Sequence, residues 1–116
     1  MVTVLGIASL DLTKTQQKGL VKELGKTVDA VFDKNTFMLR NLPHENCAGI
    51  AKDQITFFIS VDEDINIDTK RNIVKSLNET MVKAIGYKGD KKVIAIFRYR
   101  DDLGYSENGK LIADIK

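Results

Sequence analysis

Residues 20–24 read Leu-Val-Lys-Glu-Leu, and residues 73–77, found 53 positions later, read Ile-Val-Lys-Ser-Leu. Shifted by the same 53 positions, residues 3–32 align without a gap on residues 56–85. Six of the 30 aligned pairs are identical, whereas about two are expected from ordinary residue frequencies. Because a repeat of this kind defines the structural unit of a fold, we interpret the chain as two copies of one unit.

The first copy has the pattern of a β-α-β unit. An apolar, β-rich run covers residues 2–8, and Leu20, Leu24 and Val28 then recur at helical spacing. We predict a helix over 14–31 with Thr13 or Thr15 as its N-cap, and Thr13 with Gln16 fits a capping box. Residues 36–40 are predicted to form the next strand.

The second copy predicts the same order of elements. A strand is expected over 54–61, followed by a helix over 68–85 with Asp68 as its N-cap and Gly86 as its C-terminal stop. The apolar residues 93–97 predict the last strand of the unit, and Arg98, Tyr99 and Arg100 end it. A short additional strand is expected over 111–113.

The resulting order β-α-β-β-α-β is shared by the ferredoxin-like sandwich and the tautomerase fold. Adjacent strand residues such as Val4 and Leu5, or Phe57 and Phe58, put apolar side chains on both faces of the sheet. Two helices can cover one face, so the other face requires a partner, which favours an oligomer. We therefore predict an α+β fold with two antiparallel helices on one face of a four-stranded mixed sheet.

Composition limits the classes of function. The 116 residues predict a single domain over 1–116, with pseudo-repeats at about 2–40 and 55–98. With 18 Lys+Arg, 16 Asp+Glu and no long like-charge run, neither nucleic acid nor a membrane surface is an expected partner. A single cysteine and a single histidine predict no internal disulfide and no multi-histidine metal site, and no cofactor is expected. The chain shows neither a leader pattern nor a long apolar segment, so we expect a cytoplasmic protein.

Two further segments carry a resemblance to a known family. Residues 41–50 read Asn-Leu-Pro-His-Glu-Asn-Cys-Ala-Gly-Ile, and residues 104–112 read Gly-Tyr-Ser-Glu-Asn-Gly-Lys-Leu-Ile. Together with the repeat, they resemble the tautomerase superfamily, which includes 4-oxalocrotonate tautomerase and macrophage migration inhibitory factor. Within it, the chain is most similar to a small bacterial family of unknown function. The resemblance implies a homotrimer with sites at the subunit boundaries and an N-terminal proline as general base.

The chain departs from that pattern at the catalytic position. Position 2 is Val2, the single proline is Pro43, Leu12 stands at the place of a family arginine, and Cys47 replaces an aromatic residue. Val2 offers an amine only if Met1 is removed. We therefore expect a catalytically silent or weakly active trimer that binds a small ligand. The alternatives are a keto-enol tautomerase of small 2-oxo acids that uses the N-terminal amine, and a ferredoxin-like dimeric binding module.

Lys34, Arg98 and Tyr99 are the candidate substrate-binding residues. The resemblance places a lysine at Lys34, and an arginine at a strand end such as Arg98 suits a carboxylate. The alternative for Lys34 is a contact with a helix dipole. Strand-end arginines also pair with neighbouring acids, and Tyr99 and Tyr105 also suit interface packing. The remaining candidates have plainer interpretations: His44 lies at the surface, and Cys47 is a small buried residue. The acidic run Asp62, Glu63 and Asp64 precedes a helix and complements its dipole, with further help from Asp68.

Overall fold

The computed structural model describes residues 2–48, 54–62, 65–86, 92–101 and 103–115. Its first half comprises β1 (Val2–Ala8), α1 (Lys14–Val31), β2 (Asn35–Asn41) and a single 3-10 turn (His44–Asn46). Its second half comprises β3 (Ile55–Asp62), α2 (Ile67–Ile85) and β4 (Val93–Arg100). A hairpin of β5 (Ser106–Glu107) and β6 (Lys110–Leu111) follows, and the short α3 (Ile112–Ile115) comes last.

The four long strands form one mixed sheet in the order β2-β1-β3-β4. Within each copy the two strands are parallel neighbours: Val2 lies opposite Asn35, and Ile55 lies opposite Val93. The two copies meet where β1 runs antiparallel to β3. In a ferredoxin-like sandwich another strand would separate the two strands of each βαβ unit, so this sheet excludes the ferredoxin-like alternative.

A pseudo-two-fold axis relates the two copies, which confirms the predicted tandem repeat. In the antiparallel pair, Leu5 lies opposite Phe58, and these two residues are themselves 53 positions apart. Between the helices, the hydroxyls of Thr27 and Thr80, also 53 positions apart, share a hydrogen bond. Each of these pairs therefore lies on or beside the axis, one in the sheet and the other in the helical layer.

The hydrophobic core lies between the sheet and the two helices. The helices bury equivalent residues, namely Leu20, Leu24 and Val28 on α1 and Ile73, Leu77 and Met81 on α2. From the sheet, alternate residues of β3 are buried against them, and Phe57 is among the largest. Gly6 leaves room for the Phe57 ring, because a Cβ atom on Gly6 would lie 3.2 Å from it.

The ends of the helices agree with the predictions except at one cap. Thr13 and Gln16 form the capping box of α1, and Gly86 ends α2 in a left-handed conformation with φ of 71°. The predicted N-cap Asp68 is wrong: Asn66 caps α2, and its side chain accepts a hydrogen bond from the backbone N–H of Asp68. Both residue types are good N-caps, and the helix begins one residue earlier than the apolar spacing indicated.

The C-terminal segment also differs from the expected strand over 111–113. The strand is confined to Lys110–Leu111, and Ile112–Ile115 form a helical turn. The hairpin before it turns through Asn108 and Gly109, which have φ angles of 52° and 85°. Two consecutive positive φ angles are typical of the tight hairpin turns that favour Asn-Gly.

The face of the sheet opposite the helices, here called the open face, carries apolar side chains without a covering layer in the described part of the chain. Leu5, Phe58 and Ile94 are half-buried on it, whereas Met38 is 47% exposed and Ile96 is 42% exposed. The predicted two-sided apolar strands are thus present. None of the described helices is both long and apolar enough to cross a membrane.

Candidate functional site

The nitrogen of Val2 forms the first hydrogen bond of the sheet. It donates to the carbonyl oxygen of Lys34 at 3.0 Å, one residue before β2 begins. The same contact recurs in the second copy, where the nitrogen of Ile55 donates to the carbonyl oxygen of Lys92 at 3.2 Å. Parallel pairing within each copy therefore brings the backbones of Val2 and Lys34 together.

Strand direction brings Arg98 to the same end of the sheet. Thr3, next to Val2, lies opposite Ser60, and Ser60 lies opposite Arg98. We call this end, where β1 and β2 start and β3 and β4 finish, the first end. Because neighbouring strands are about 4.8 Å apart, Arg98 lies about two strand spacings from the start of β1.

Arg98 and Tyr99 lie on opposite faces of the sheet. The Arg98 guanidinium lies 5.6 Å from the centre of the Phe58 ring on the open face. Tyr99 points to the helical side, where its hydroxyl contacts the ammonium group of Lys70. The same ammonium group lies 4.5 Å from the centre of the Tyr99 ring. The structure therefore brings Val2, Lys34 and Arg98 to one end but does not place Tyr99 beside Arg98.

Arg100 is the most enclosed of the strand-end arginines, with a side chain only 15% exposed. Its guanidinium lies 4.6 Å from the centre of the Tyr105 ring, and its Nε lies 3.9 Å from a carboxylate oxygen of Asp62. Asp62 is the last residue of β3, and its side chain remains largely exposed. Sequence reasoning named these three residues separately, but not as a cluster.

Lys34 and Arg98 bring positive charge to the first end, but they lie at the two outer strands, β2 and β4, about three strand spacings apart. The nitrogen of Val2, in a chain that retains Met1, belongs to an amide whose hydrogen is donated to the carbonyl oxygen of Lys34. Within the described ranges no group of three His, Cys, Asp or Glu residues could hold a metal ion. Glu63 and Asp64 of the acidic run lie outside the described residues, and so does the structure around the His44 side chain.

A cavity that sequence reasoning missed lies at the opposite end of the sheet, here called the second end. Its volume is about 230 Å³. The side chains that surround it come from β1, β3 and the segment after β2, and they include Ile7, Leu42, Cys47, Gln54, Thr56 and Phe58. The Cys47 thiol donates weakly to the carbonyl oxygen of Pro43 at 3.7 Å. Cys47 is half-buried and lines this cavity, whereas the sequence predicted a buried residue.

Comparison with solved structures identifies the architecture. The chain superposes on a symmetric trimer form of fused 4-OT, a tautomerase, with a TM-score of 0.78 and 9% identity over 97% of this chain and 98% of that one. It matches Pt0534, inactivated by 2-oxo-3-pentynoate, with a TM-score of 0.75 and 15% identity over 97% of each chain. The chain has the tautomerase superfamily fold.

A third structure extends the likeness to a second branch of that fold. Macrophage migration inhibitory factor from Toxoplasma gondii matches with a TM-score of 0.68 and 14% identity, over 94% of this chain and 98% of that one. No protein-family model and no curated protein matches the sequence. The likeness therefore lies in the arrangement of strands and helices, while most side chains differ.

Proposed function

We propose that the protein is a homotrimer of the tautomerase fold that binds a small carboxylate at the first end and lacks efficient tautomerase chemistry. The observation that carries this proposal is the hydrogen bond from the Val2 nitrogen to the carbonyl oxygen of Lys34. It marks the Val2 nitrogen as a member of the strand ladder. An amide nitrogen has no available lone pair, so with Met1 in place it cannot abstract a proton.

The exposed surface supports assembly into a trimer. The single chain exposes 7708 Å², whereas a folded monomer of 13.0 kDa exposes about 6,300 Å² on average. On the open face, Met38 and Ile96 are exposed. Packing of three such faces would remove these apolar side chains from water. The trimer of fused 4-OT provides a structural precedent for this assembly.

The proposed ligand is a small carboxylate such as a 2-oxo acid, held between Lys34 of one subunit and Arg98 of a neighbouring subunit, because within one chain the two residues lie at the outer strands β2 and β4, about three strand spacings apart. Charge-assisted hydrogen bonds from an arginine and a lysine are stronger than neutral ones. Arg98 is exposed in the single chain and lies against Phe58, so a neighbouring subunit on the open face would lie close to it. Tyr99 contacts Lys70 on the other face, and we assign it a supporting rather than a direct part in binding.

Turnover of the enol of phenylpyruvate tests whether the protein lacks a general base. Mass spectrometry first shows that Met1 is present in the wild-type protein. We expect this protein to convert the enol only slightly faster than buffer alone does. Val2→Pro with Met1 removed restores a secondary amine at this position, and we expect a gain within the 10²–10⁴-fold range that is typical of a positioned general base. Strong turnover by the wild type with Met1 present would contradict the proposal, and His44 would then be the first alternative base to examine.

Binding of phenylpyruvate tests the anion site independently of turnover. We expect Lys34→Ala and Arg98→Ala each to weaken binding by about 10- to 150-fold, since a hydrogen bond to a charged group contributes about 1.5–3 kcal/mol. The matched control is Arg71→Ala, an exposed arginine of α2 that pairs with Asp68. If Val2→Pro gains nothing and both variants bind normally, the first end is not a ligand site.

A further inference from the structure

A groove lies between α1 and the edge strand β2, on the helical side of the sheet. Its volume is about 350 Å³, within the range of about 300–1,000 Å³ that is typical of small-molecule sites. The side chains that line this α1–β2 groove are Lys14, Gln17, Lys18, Val21 and Leu39. Leu39 packs against the core beneath the helices, so the groove lies outside the open face that the proposed trimer covers.

The equivalent place in the second copy is closed by side chains of the chain itself. There α2 carries Lys70, which comes 53 positions after Gln17. The Lys70 ammonium group lies 5.6 Å from the centre of the Phe97 ring and 4.5 Å from the centre of the Tyr99 ring. A lysine side chain and two aromatic rings therefore fill the space between α2 and β4.

The first copy lacks both of these rings. Leu39 stands at the place of Phe97, because the residues opposite them in the neighbouring strands are themselves 53 positions apart. By the same register, Asn41 stands at the place of Tyr99, and its side-chain amide forms hydrogen bonds with the backbone of Leu10. A leucine and a tethered amide thus replace two aromatic rings beside α1.

The helix of the first copy does not fill this space either. Gln17, at the place of Lys70, donates from its Nε2 to the carbonyl oxygen of Leu12 at 3.2 Å rather than reaching over the strand. Val21 is 39% exposed, whereas its equivalent Val74 is half-buried and packs against the core. The α1–β2 groove is therefore the space that is filled from within the chain in the second copy.

Two lysines give the rim of this groove a positive charge. Lys14 and Lys18 are four residues apart on α1, and neither forms an ion pair within the described part of the chain. Like charges at this spacing destabilise a helix. Their equivalents in the second copy are Ile67, which is uncharged, and Arg71, which pairs with Asp68. The two unpaired charges thus accompany the open groove and are missing beside the closed one.

We propose that the α1–β2 groove binds a small aromatic anion. Its ring lies against Val21 and Leu39, where aromatic rings of the chain itself lie in the second copy. Its negatively charged group pairs with Lys14 and Lys18 at the rim. This site is separate from the first end and does not depend on the proposed function.

The probe is 2-naphthoate, and the measurement is the NMR spectrum of the full-length protein with labelled valine and leucine methyl groups. We expect saturable shifts at Val21 and Leu39, because an aromatic ring shifts the signals of methyl groups packed against it, and no shift at Val74. The neutral 2-naphthamide should bind about tenfold more weakly, because it cannot pair with the lysines. Unchanged Val21 and Leu39 signals at millimolar 2-naphthoate would overturn the proposal.

Single lysine variants test the charged rim. Lys14→Gln and Lys18→Gln should each weaken binding by about two- to fivefold, as expected for an exposed ion pair. The matched control is Lys22→Gln, at an exposed position of α1 that does not line the groove, and it should leave the dissociation constant unchanged. An equal loss in Lys22→Gln would contradict a specific rim.

The double variant Gln17→Lys with Leu39→Phe copies the closed arrangement of the second copy into the groove. We expect it to weaken binding more than tenfold, with Val21 as the reporter, and circular dichroism confirms that it is folded. Normal binding by the folded double variant would contradict the proposal, and Lys18→Gln keeps the test valid if the double variant does not fold. Lys34→Ala should leave the Val21 shift unchanged, so failure of this test leaves the first-end proposal intact.

Discussion

At the scale of single residues, Leu24 and Leu77 occupy equivalent positions in the two copies of the repeat. They are identical residues, 53 positions apart, and each is completely buried at the centre of its helix. A buried leucine stabilises the native state through the apolar surface it removes from water and through close packing. The pseudo-two-fold axis gives both residues the same kind of environment, so their contributions to stability should be similar.

We expect Leu24→Ala and Leu77→Ala each to lower the free energy of unfolding by about 2–5 kcal/mol, with values similar to each other. Urea denaturation monitored by circular dichroism measures both. Val82→Ala on the exposed surface of α2 is the control and should change stability by no more than about 0.5 kcal/mol. A large cost at one leucine with almost none at the other would contradict their equivalence in the core.

Thr13 acts at the start of α1, where the backbone N–H groups lack partners within the helix. Its side chain accepts a hydrogen bond from the backbone N–H of Gln16 at 3.1 Å, and the Gln16 side chain accepts from the backbone N–H of Thr13 at 2.8 Å. Thr13→Ala should therefore cost about 1 kcal/mol of stability in thermal unfolding. The control is Thr15→Ala, at the exposed second residue of α1. An equal loss of stability in this variant would argue against a specific cap at Thr13.

At the scale of elements, two glycines should respond in opposite ways to a larger side chain. Gly19 lies in α1 with open space around it, whereas Gly6 lies in β1 against Leu39 and Phe57. Gly19→Ala should stabilise the protein by about 0.5–1 kcal/mol, because alanine restricts the unfolded chain and favours the helix. Gly6→Val should destabilise it by about 1–3 kcal/mol, because its branches would overpack the core.

Thermal unfolding of the two glycine variants distinguishes these effects. The melting temperature should rise for Gly19→Ala and fall for Gly6→Val. Gly25→Ala provides a second test in α1, because a Cβ atom added at Gly25 would have no atom of another element within 4 Å. A rise in melting temperature for Gly6→Val would mean that the Phe57 ring does not limit the space between β1 and the helices.

At the scale of the whole molecule, we expect the open face to form the contacts of the proposed trimer. Met38 and Ile96 lie on the outer strands β2 and β4, and both are exposed in the single chain. Complete burial of a large apolar side chain stabilises a protein by about 1.5–3 kcal/mol relative to leaving it in water. Native proteins are stable by only about 5–15 kcal/mol in total, so burial of this face by neighbouring subunits would be a large contribution.

Light scattering should give the mass of three 13.0 kDa chains for the wild type at micromolar concentration. Ile96→Asp should shift the mass towards that of a single chain, because a carboxylate is costly to bury without a partner. Val82→Asp, an exposed position on α2, is the control and should leave the mass unchanged. A wild-type protein that is monomeric at micromolar concentration would contradict the proposed trimer.

Local patterns in the sequence determined the elements and their core residues. The helical spacing of Leu20, Leu24 and Val28, and its repetition 53 positions later, predicted both helices and the pseudo-symmetry between them. The capping box at Thr13 and the stop at Gly86 were also readable, because each depends on residues adjacent in the chain. The choice of Asn66 rather than Asp68 as a cap was not readable, since both residue types suit that position.

The tertiary structure alone decided which distant residues meet. Val2 lies beside Lys34 because β1 and β2 pair in parallel, and Arg98 lies at the same end because β3 reverses direction. The cavity at the second end of the sheet likewise requires Ile7, Cys47 and Thr56 to come together from separate segments. Periodicity and capping are local properties of a chain, whereas strand register and the spaces between elements arise from long-range pairing and packing.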